Sequence, residues 1–325
     1  MLSAREKTIS QMNRMGKERI PFLFMIDFLF REPVLLKEDE ALSAGLLYDI
    51  RGYRNFSGEV KSSKELAFIK RPVTFDRYKK GFDIVAENIK KGNTYLLNYT
   101  AETPIETNYT LNEIFTVAES KYKALWKNNF VFFSPEIFTE IREGVICSYP
   151  MKGTIDASQP DAEATILADK KELAEHNTIV DLIRNDLNIV AEKVKVERFR
   201  YIDKIITNQK PLLQVSSKVT GELHRGYYED IGSIVAGLLP AGSVTGAPKK
   251  KTVEIILEAE NYDRGYYSGI FGRFDGTNLD SCVMIRFIEN SPGGLIFKSG
   301  GGITMFSDAL SEYNEMIDKV YVPVA

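Results

Sequence analysis

The segment Pro150-Met151-Lys152-Gly153-Thr154 follows a strand-like run at residues 145–149. A lysine at a strand end beside glycine could project into a pocket, where a shielded amine serves as a nucleophile; a solvated surface charge is the plainer alternative. Glu172 with Glu175, and Glu312 with Glu315, are spaced by three, and on a helix that spacing puts both carboxylates on one face. Four carboxylates from two helices could hold one hard cation, Mg²⁺ being the best match to oxygen ligands, or each pair could be ordinary solvated helix surface. Gly242-Ser243-Val244-Thr245-Gly246-Ala247-Pro248 leads into a helical pattern and offers free backbone N–H groups to an anion, though it lacks the phosphate-loop spacing GxxxxGK[ST]. Ser299-Gly300-Gly301-Gly302 exposes further amides with no side chains to block approach. Arg286 interrupts the apolar run 282–288, and a guanidinium buried there needs an internal acid or an anionic ligand.

These residues need elements to position them. Phe82, Val85, Ala86 and Ile89 carry helical spacing that ends at Lys90-Lys91-Gly92, a basic last turn followed by glycine, and a strand is expected at 94–101. Strand-like runs at 137–142 and 145–149 flank Glu143-Gly144, and runs at 269–274 and 279–288 flank Asp275-Gly276. Such short turns imply antiparallel pairing. Helices are expected at 162–184, 228–239, 248–260 and 308–320. In the last of these, Leu310, Tyr313, Ile317 and Val320 form the expected buried stripe, with Glu312, Glu315 and Lys319 along a neighbouring face. Blocks of hairpins separated by helices make the fold class α+β. Residues 1–75 read as a charged helical start, an apolar strand at 21–30 and a polar link, a short N-terminal segment packed on the core formed by 76–325.

The 325 residues amount to one or two domains at ~150 residues each. At 44% hydrophobic and 27% charged, with net charge −3, the chain has globular composition and no basic footprint for nucleic acid or an anionic membrane. Cys147 and Cys282 cannot form a disulfide framework, and His176 and His224 are too few for a His-rich metal centre. The longest uncharged stretch, 231–248, is broken by four glycines and two prolines, and the N-terminal apolar run is too short for a signal peptide. A cytoplasmic protein is expected.

Taken in order, these segments resemble the chorismate-utilising enzymes: anthranilate synthase component I, aminodeoxychorismate synthase component I, isochorismate synthase and salicylate synthase. The resemblance begins at Gly92-Asn93-Thr94-Tyr95-Leu96-Leu97-Asn98-Tyr99-Thr100, Ser134-Pro135-Glu136-Ile137-Phe138 and the Lys152 segment. It continues through Glu175-His176-Asn177 to Leu187, Gly242 to Lys249, Arg264-Gly265-Tyr266-Tyr267-Ser268-Gly269, the glycine run and Glu312-Tyr313-Asn314-Glu315. It implies an anthranilate synthase component I-like fold, two antiparallel sheets sandwiching the active site with flanking helices. It also implies Mg²⁺ held at Glu175 and Glu315 with Glu172 and Glu312 close by. Arg286, Tyr267, Lys319 and the amides of Gly300, Gly301 and Gly302 match substrate-carboxylate contacts, and Thr245 and Gly246 a second substrate-lining loop. A dianionic substrate suits such a set.

Within the family, Lys152 in Pro-x-Lys-Gly-Thr resembles the aminodeoxychorismate synthases, where anthranilate synthases usually have alanine. The resemblance makes Lys152 a nucleophile that adds at C2 as the C4 hydroxyl leaves, with Glu136 as the general acid and ammonia then displacing the lysine. The product would be 4-amino-4-deoxychorismate, precursor of p-aminobenzoate and folate. Gln214 stands where much of the family has histidine, which weighs against anthranilate formation. No Gly-x-Cys-x-Gly elbow surrounds either cysteine, so the resemblance implies ammonia from a separate glutamine amidotransferase subunit. Anthranilate or isochorismate formation, or an inactive chorismate-binding relative that only pairs with the glutaminase, are the alternatives.

Overall fold

The computed structural model describes residues 2–57, 65–205 and 211–324. Among them, two nine-stranded antiparallel sheets face each other. The first runs β11 (Met151–Asp156), β13 (Leu212–Glu222), β10 (Val145–Ser148), β9 (Ile137–Arg142), β16 (Leu279–Val283), β15 (Ile270–Phe274), β1 (Phe22–Ile26) and β2 (Val34–Lys37), with β12 (Glu192–Ile205) also on β13. The second runs β14 (Gly246–Ala247), β6 (Leu96–Thr107), β18 (Gly294–Ile303), β17 (Phe287–Ser291), β8 (Phe130–Ser134), β7 (Tyr122–Trp126), β3 (Leu46–Ile50) and β4 (Tyr53–Arg54). In this sheet β5 (Phe68–Lys70) also pairs with β6. The helices are α1 (Ala4–Lys17), α2 (Phe75–Lys90), α3 (Leu111–Val117), α4 (Ala162–Ala168), α5 (Lys170–Leu187), α6 (Ile231–Gly237), α7 (Lys249–Ala259) and α8 (Ala309–Asp318).

β1 shows why the layers hold. Its five residues are all apolar because both faces are buried. Phe22, Phe24 and Ile26 pack with Met12, Met15, Ile231 and Val235 under α1 and α6, while Leu23 and Met25 meet Tyr48, Phe132 and Phe287 of the opposite sheet. Behind the second sheet, Leu97 and Tyr99 pack against Phe82 and Val85 of α2, Ile255 of α7 and Met316 of α8. This is the expected sandwich of two antiparallel sheets with helices outside. No helix among the described residues is long and apolar enough to cross a membrane.

Three sequence expectations are redrawn. The run 279–288 is not one strand: β16 stays in the first sheet and β17 joins the second, with Arg286 between them in the left-handed region at φ 52°. The helix expected at 162–184 breaks at Asp169, whose side chain accepts from Glu172 N and caps α5. Residues 1–75 are more than a segment packed on the core, since β1 pairs with β15 inside the first sheet and β3 with β7 inside the second.

Candidate functional site

A cavity of about 510 Å³ lies between the two sheets, with α5 and α8 contributing to its wall. It is lined by four cationic side chains, Lys152, Arg286, Lys298 and Lys319, and five carboxylates, Glu136, Glu172, Glu175, Glu312 and Glu315. These groups arrive from both sheets, their connecting loops, α5 and α8. Lys152 projects from the start of β11, with Nζ 3.5 Å from Glu175 Oε2 on α5. The two other β11 residues on the wall, Met151 and Gly153, flank it, and Gly153 adopts φ 80°. A methyl group at Gly153 would stand 3.1 Å from Glu172 Oε2, which places that carboxylate against the strand.

Opposite, β18 carries no side chains over Gly300–Gly302. β17 pairs with it only as far as Phe287↔Lys298, so the strand continues past the end of that partner. There Lys319 Nζ donates to Gly300 O at 2.8 Å and pairs with Glu315 at 2.7 Å. A methyl group at Gly301 would meet Glu312 Oε2 at 3.3 Å and both Glu315 Oε1 and Lys319 Nζ at 3.6 Å, and one at Gly302 would meet Lys152 Nζ at 3.2 Å. The glycines therefore hold open the space on which lysines and carboxylates converge. Burial pushes the Lys319 ammonium below its usual range, against the opposing pull of Glu315.

Of the stripe expected on the helix that supplies Glu312, Glu315 and Lys319, Tyr313, Ile317 and Val320 do pack inward, and the departure is at its start. Leu310 is 52% exposed, whereas Met316 and Glu312 are buried. An apolar-face reading could not anticipate this, because Glu312 is buried against the polar cavity, where Ser307 Oγ donates to its Oε1 at 2.7 Å.

Glu136 enters from the loop before β9. Its amide donates to Ser134 Oγ at 3.1 Å, and Ser243 Oγ donates to its Oε1. Burial pushes the Glu136 carboxyl above the usual range, opposed by the Ser243 hydrogen bond and by Lys152, Arg286 and Lys319. Tyr267 is buried on the same wall, its hydroxyl pushed up to about 12 by burial. Two buried polar atoms on cavity residues, Arg286 Nε and Asn98 Oδ1, have no hydrogen-bond partner, which leaves a donor and an acceptor for a ligand.

Not every sequence candidate reaches the wall. Thr245 is fully buried behind it, and Gly246 pairs with Leu97 in β14, where a methyl group would collide with Leu96 O at 1.8 Å. Their neighbours Ser243 and Val244 line the cavity instead. Gln214 of β13 does face it. Lys298 and Asn98 were missed. Lys298 sits two residues before Gly300, and Asn98 lies within the quoted 92–100 motif, so an alternation count along those strands could have flagged both.

A buried ion pair braces this wall. Arg264 Nε and Nη2 grip the two oxygens of Glu260 at 2.8 and 2.6 Å, while Nη1 reaches Val244 O at 2.8 Å and Nη2 reaches Asn98 O at 2.6 Å. Both side chains are almost wholly enclosed, at 2% and 1% exposure. The planar guanidinium thereby ties α7 to two cavity-lining segments at once.

The donor chemistry suits a hard cation, since Glu172 and Glu175 from α5 and Glu312 and Glu315 from α8 all offer oxygen ligands. Among the described residues, however, no three Asp, Glu, His or Cys side chains are gathered as a metal-holding group. The glutamates line the cavity without forming a closed cluster.

A family profile described as chorismate binding enzyme matches residues 36–325. An uncharacterized PabA-like protein of Pasteurella multocida is 50% identical over 97% of this chain and 98% of its own length. Aminodeoxychorismate synthase component 1 of Bacillus subtilis is 30% identical over 77% of this chain and 55% of its own. Among solved structures, a Bacillus anthracis protein described as a putative 2,3-dihydroxybenzoate-specific isochorismate synthase superposes with TM-score 0.72 at 20% identity, covering 98% of this chain and 87% of its own; at that identity it speaks to the fold. With nearly the whole chain matched and the cavity built from the motifs that suggested it, the protein belongs to the chorismate-binding enzymes.

Proposed function

We propose that the chain is the synthase component that converts chorismate and ammonia to 4-amino-4-deoxychorismate. The observation that carries this reading is the Lys152 amine, set inside the cavity beside Glu175 and within reach of the bare strand at Gly302. Arg286 and Lys319 supply positive charge for a dianion, and the orphaned Arg286 Nε gives a directed donor.

In this reading the Lys152 amine adds at C2 of the ring, the two conjugated ring double bonds both shift by one position, and the C4 hydroxyl leaves. Hydroxide is a poor leaving group, so Glu136 gives up its proton to that oxygen and water departs. A carboxyl pushed upward by burial is suited to the task, because it stays protonated at higher pH than an exposed one. Ammonia then bonds to C4, both double bonds return, the C2–N bond to Lys152 breaks, and the proton shed by the new ammonium restores Glu136. Glu172, Glu175, Glu312 and Glu315 are the residues that would hold Mg²⁺, which when bound neutralises and orients the substrate carboxylate. The product feeds p-aminobenzoate and folate synthesis.

The ammonia is proposed to come from a separate glutamine amidotransferase. Both cysteines of this chain are buried, Cys147 in β10 and Cys282 in β16, and neither is placed to act as a glutaminase nucleophile. Incubating the pure chain with chorismate, Mg²⁺ and ammonium should yield 4-amino-4-deoxychorismate, identified by mass and retention, while glutamine alone should yield none. Anthranilate or isochorismate as the main product would replace this reading with one of its two rivals.

A further inference from the structure

Ser243 lines the cavity but has been given no role for its side chain, which touches the proposed acid. Its hydroxyl donates to Glu136 Oε1 from the short turn Gly242–Val244. That turn is held from three sides. Gly242 is packed so closely on α5 that a methyl group there would meet Asp186 Oδ2 at 2.8 Å and Leu182 at 3.1 Å. Val244 O accepts from the buried Arg264, and Thr245 O accepts from Asn98 N at 2.9 Å. The hydroxyl is thus presented to Glu136 by a frame with little freedom to move.

We infer that Ser243 is a positioning residue for Glu136, engaging one carboxyl oxygen so that the other presents its proton to the departing C4 oxygen. The inference rests on Glu136 being the acid of the proposed reaction. A protonated carboxyl has one O–H, and a hydroxyl donating to Oε1 leaves Oε2 to carry it. Without that contact the carboxyl is free to rotate and to protonate on either oxygen, and correctly aimed transfer becomes rarer.

The hydrogen bond also acts on titration. It favours the carboxylate and so opposes the upward push of burial on Glu136. The other groups facing Glu136 are the cations Lys152 from β11, Arg286 before β17 and Lys319 after α8, together with the Cys282 thiol of β16. None of these changes when Ser243 is replaced. Removing the hydroxyl therefore moves the Glu136 pKa further up, and the high-pH limb of kcat, where the acid form is lost, moves up with it.

The test is a kcat–pH profile with ammonium for wild type, Ser243→Ala, Ser243→Thr and Glu136→Gln. Ser243→Ala should lose roughly tenfold in kcat, part of the ~10²–10⁴ that a positioned acid supplies, with KM for chorismate little changed and the high-pH limb displaced upward. Ser243→Thr, which keeps the hydroxyl, should restore both. Wild-type kcat or an unmoved limb in Ser243→Ala overturns the inference. Full activity in Glu136→Gln would instead remove the acid reading itself, whereas a crippled Glu136→Gln beside a normal Ser243→Ala removes only the role of Ser243.

Discussion

Three adjacent glycines do more for this cavity than most of its charged residues, and they do so unequally. A methyl group at Gly300 would stand 2.3 Å from Tyr99 O, a collision with backbone that the fold cannot relieve cheaply. At Gly301 the nearest atoms are side-chain ends, Glu312 Oε2 at 3.3 Å and Glu315 Oε1 at 3.6 Å, and the backbone is not in the left-handed region. Gly301→Ala is therefore compatible with folding but intrudes on the ligand space. It should leave the unfolding free energy within about 0.5 kcal/mol of wild type while raising KM for chorismate roughly tenfold, a loss of about 1.4 kcal/mol in binding. Steady-state kinetics with ammonium checks this, and an unchanged KM would mean that no substrate lies over Gly301.

Between elements, the Glu260–Arg264 pair decides whether the walls stay in register. Glu260 also accepts from Thr100 N at 2.7 Å and Thr100 Oγ1 at 2.8 Å, so the same carboxylate pins β6 to α7. Truncating one partner of a buried pair leaves an uncompensated charge, which costs about 3–5 kcal/mol. Arg264→Ala should lower the urea-unfolding free energy by that amount; a loss below about 1 kcal/mol, the range of exposed pairs, would mean the pair is not enclosed as described. How much of this was legible in the sequence follows from what each feature depends on. The hairpin at Glu143-Gly144 was readable because its two turn residues, at φ 51° and 83°, need a conformation that local composition announces. The switch of sheets at Arg286 was not, since a left-handed arginine leaves no mark on an apolar run. Nor was the burial of Glu312 on α8, which is enclosed by a cavity that exists only once both sheets are assembled. Ser243 was hidden for a related reason: beside glycine and before a proline-started helix, a serine reads as a turn residue, and its partner Glu136 lies far away in the chain.

Over the whole molecule, the sandwich brings together groups from distant parts of the chain: Glu136 before β9, Lys152 on β11, the carboxylates of α5 and α8, and the glycines of β18. The resemblance read from ordered motifs located these segments, and the fold explains why they had to be far apart, since each wall of the cavity belongs to a different layer. In the proposed reaction the deciding group inside this frame is the amine at Lys152. Its participation is read most directly by intact-mass spectrometry of the protein mixed with chorismate and Mg²⁺ in the absence of ammonium. The account predicts a mass increase equal to chorismate less one water, mapped to the peptide containing Lys152, discharged by added ammonium and missing from Lys152→Ala. Formation of 4-amino-4-deoxychorismate by Lys152→Ala at the wild-type rate, with no such adduct in the native protein, would contradict it.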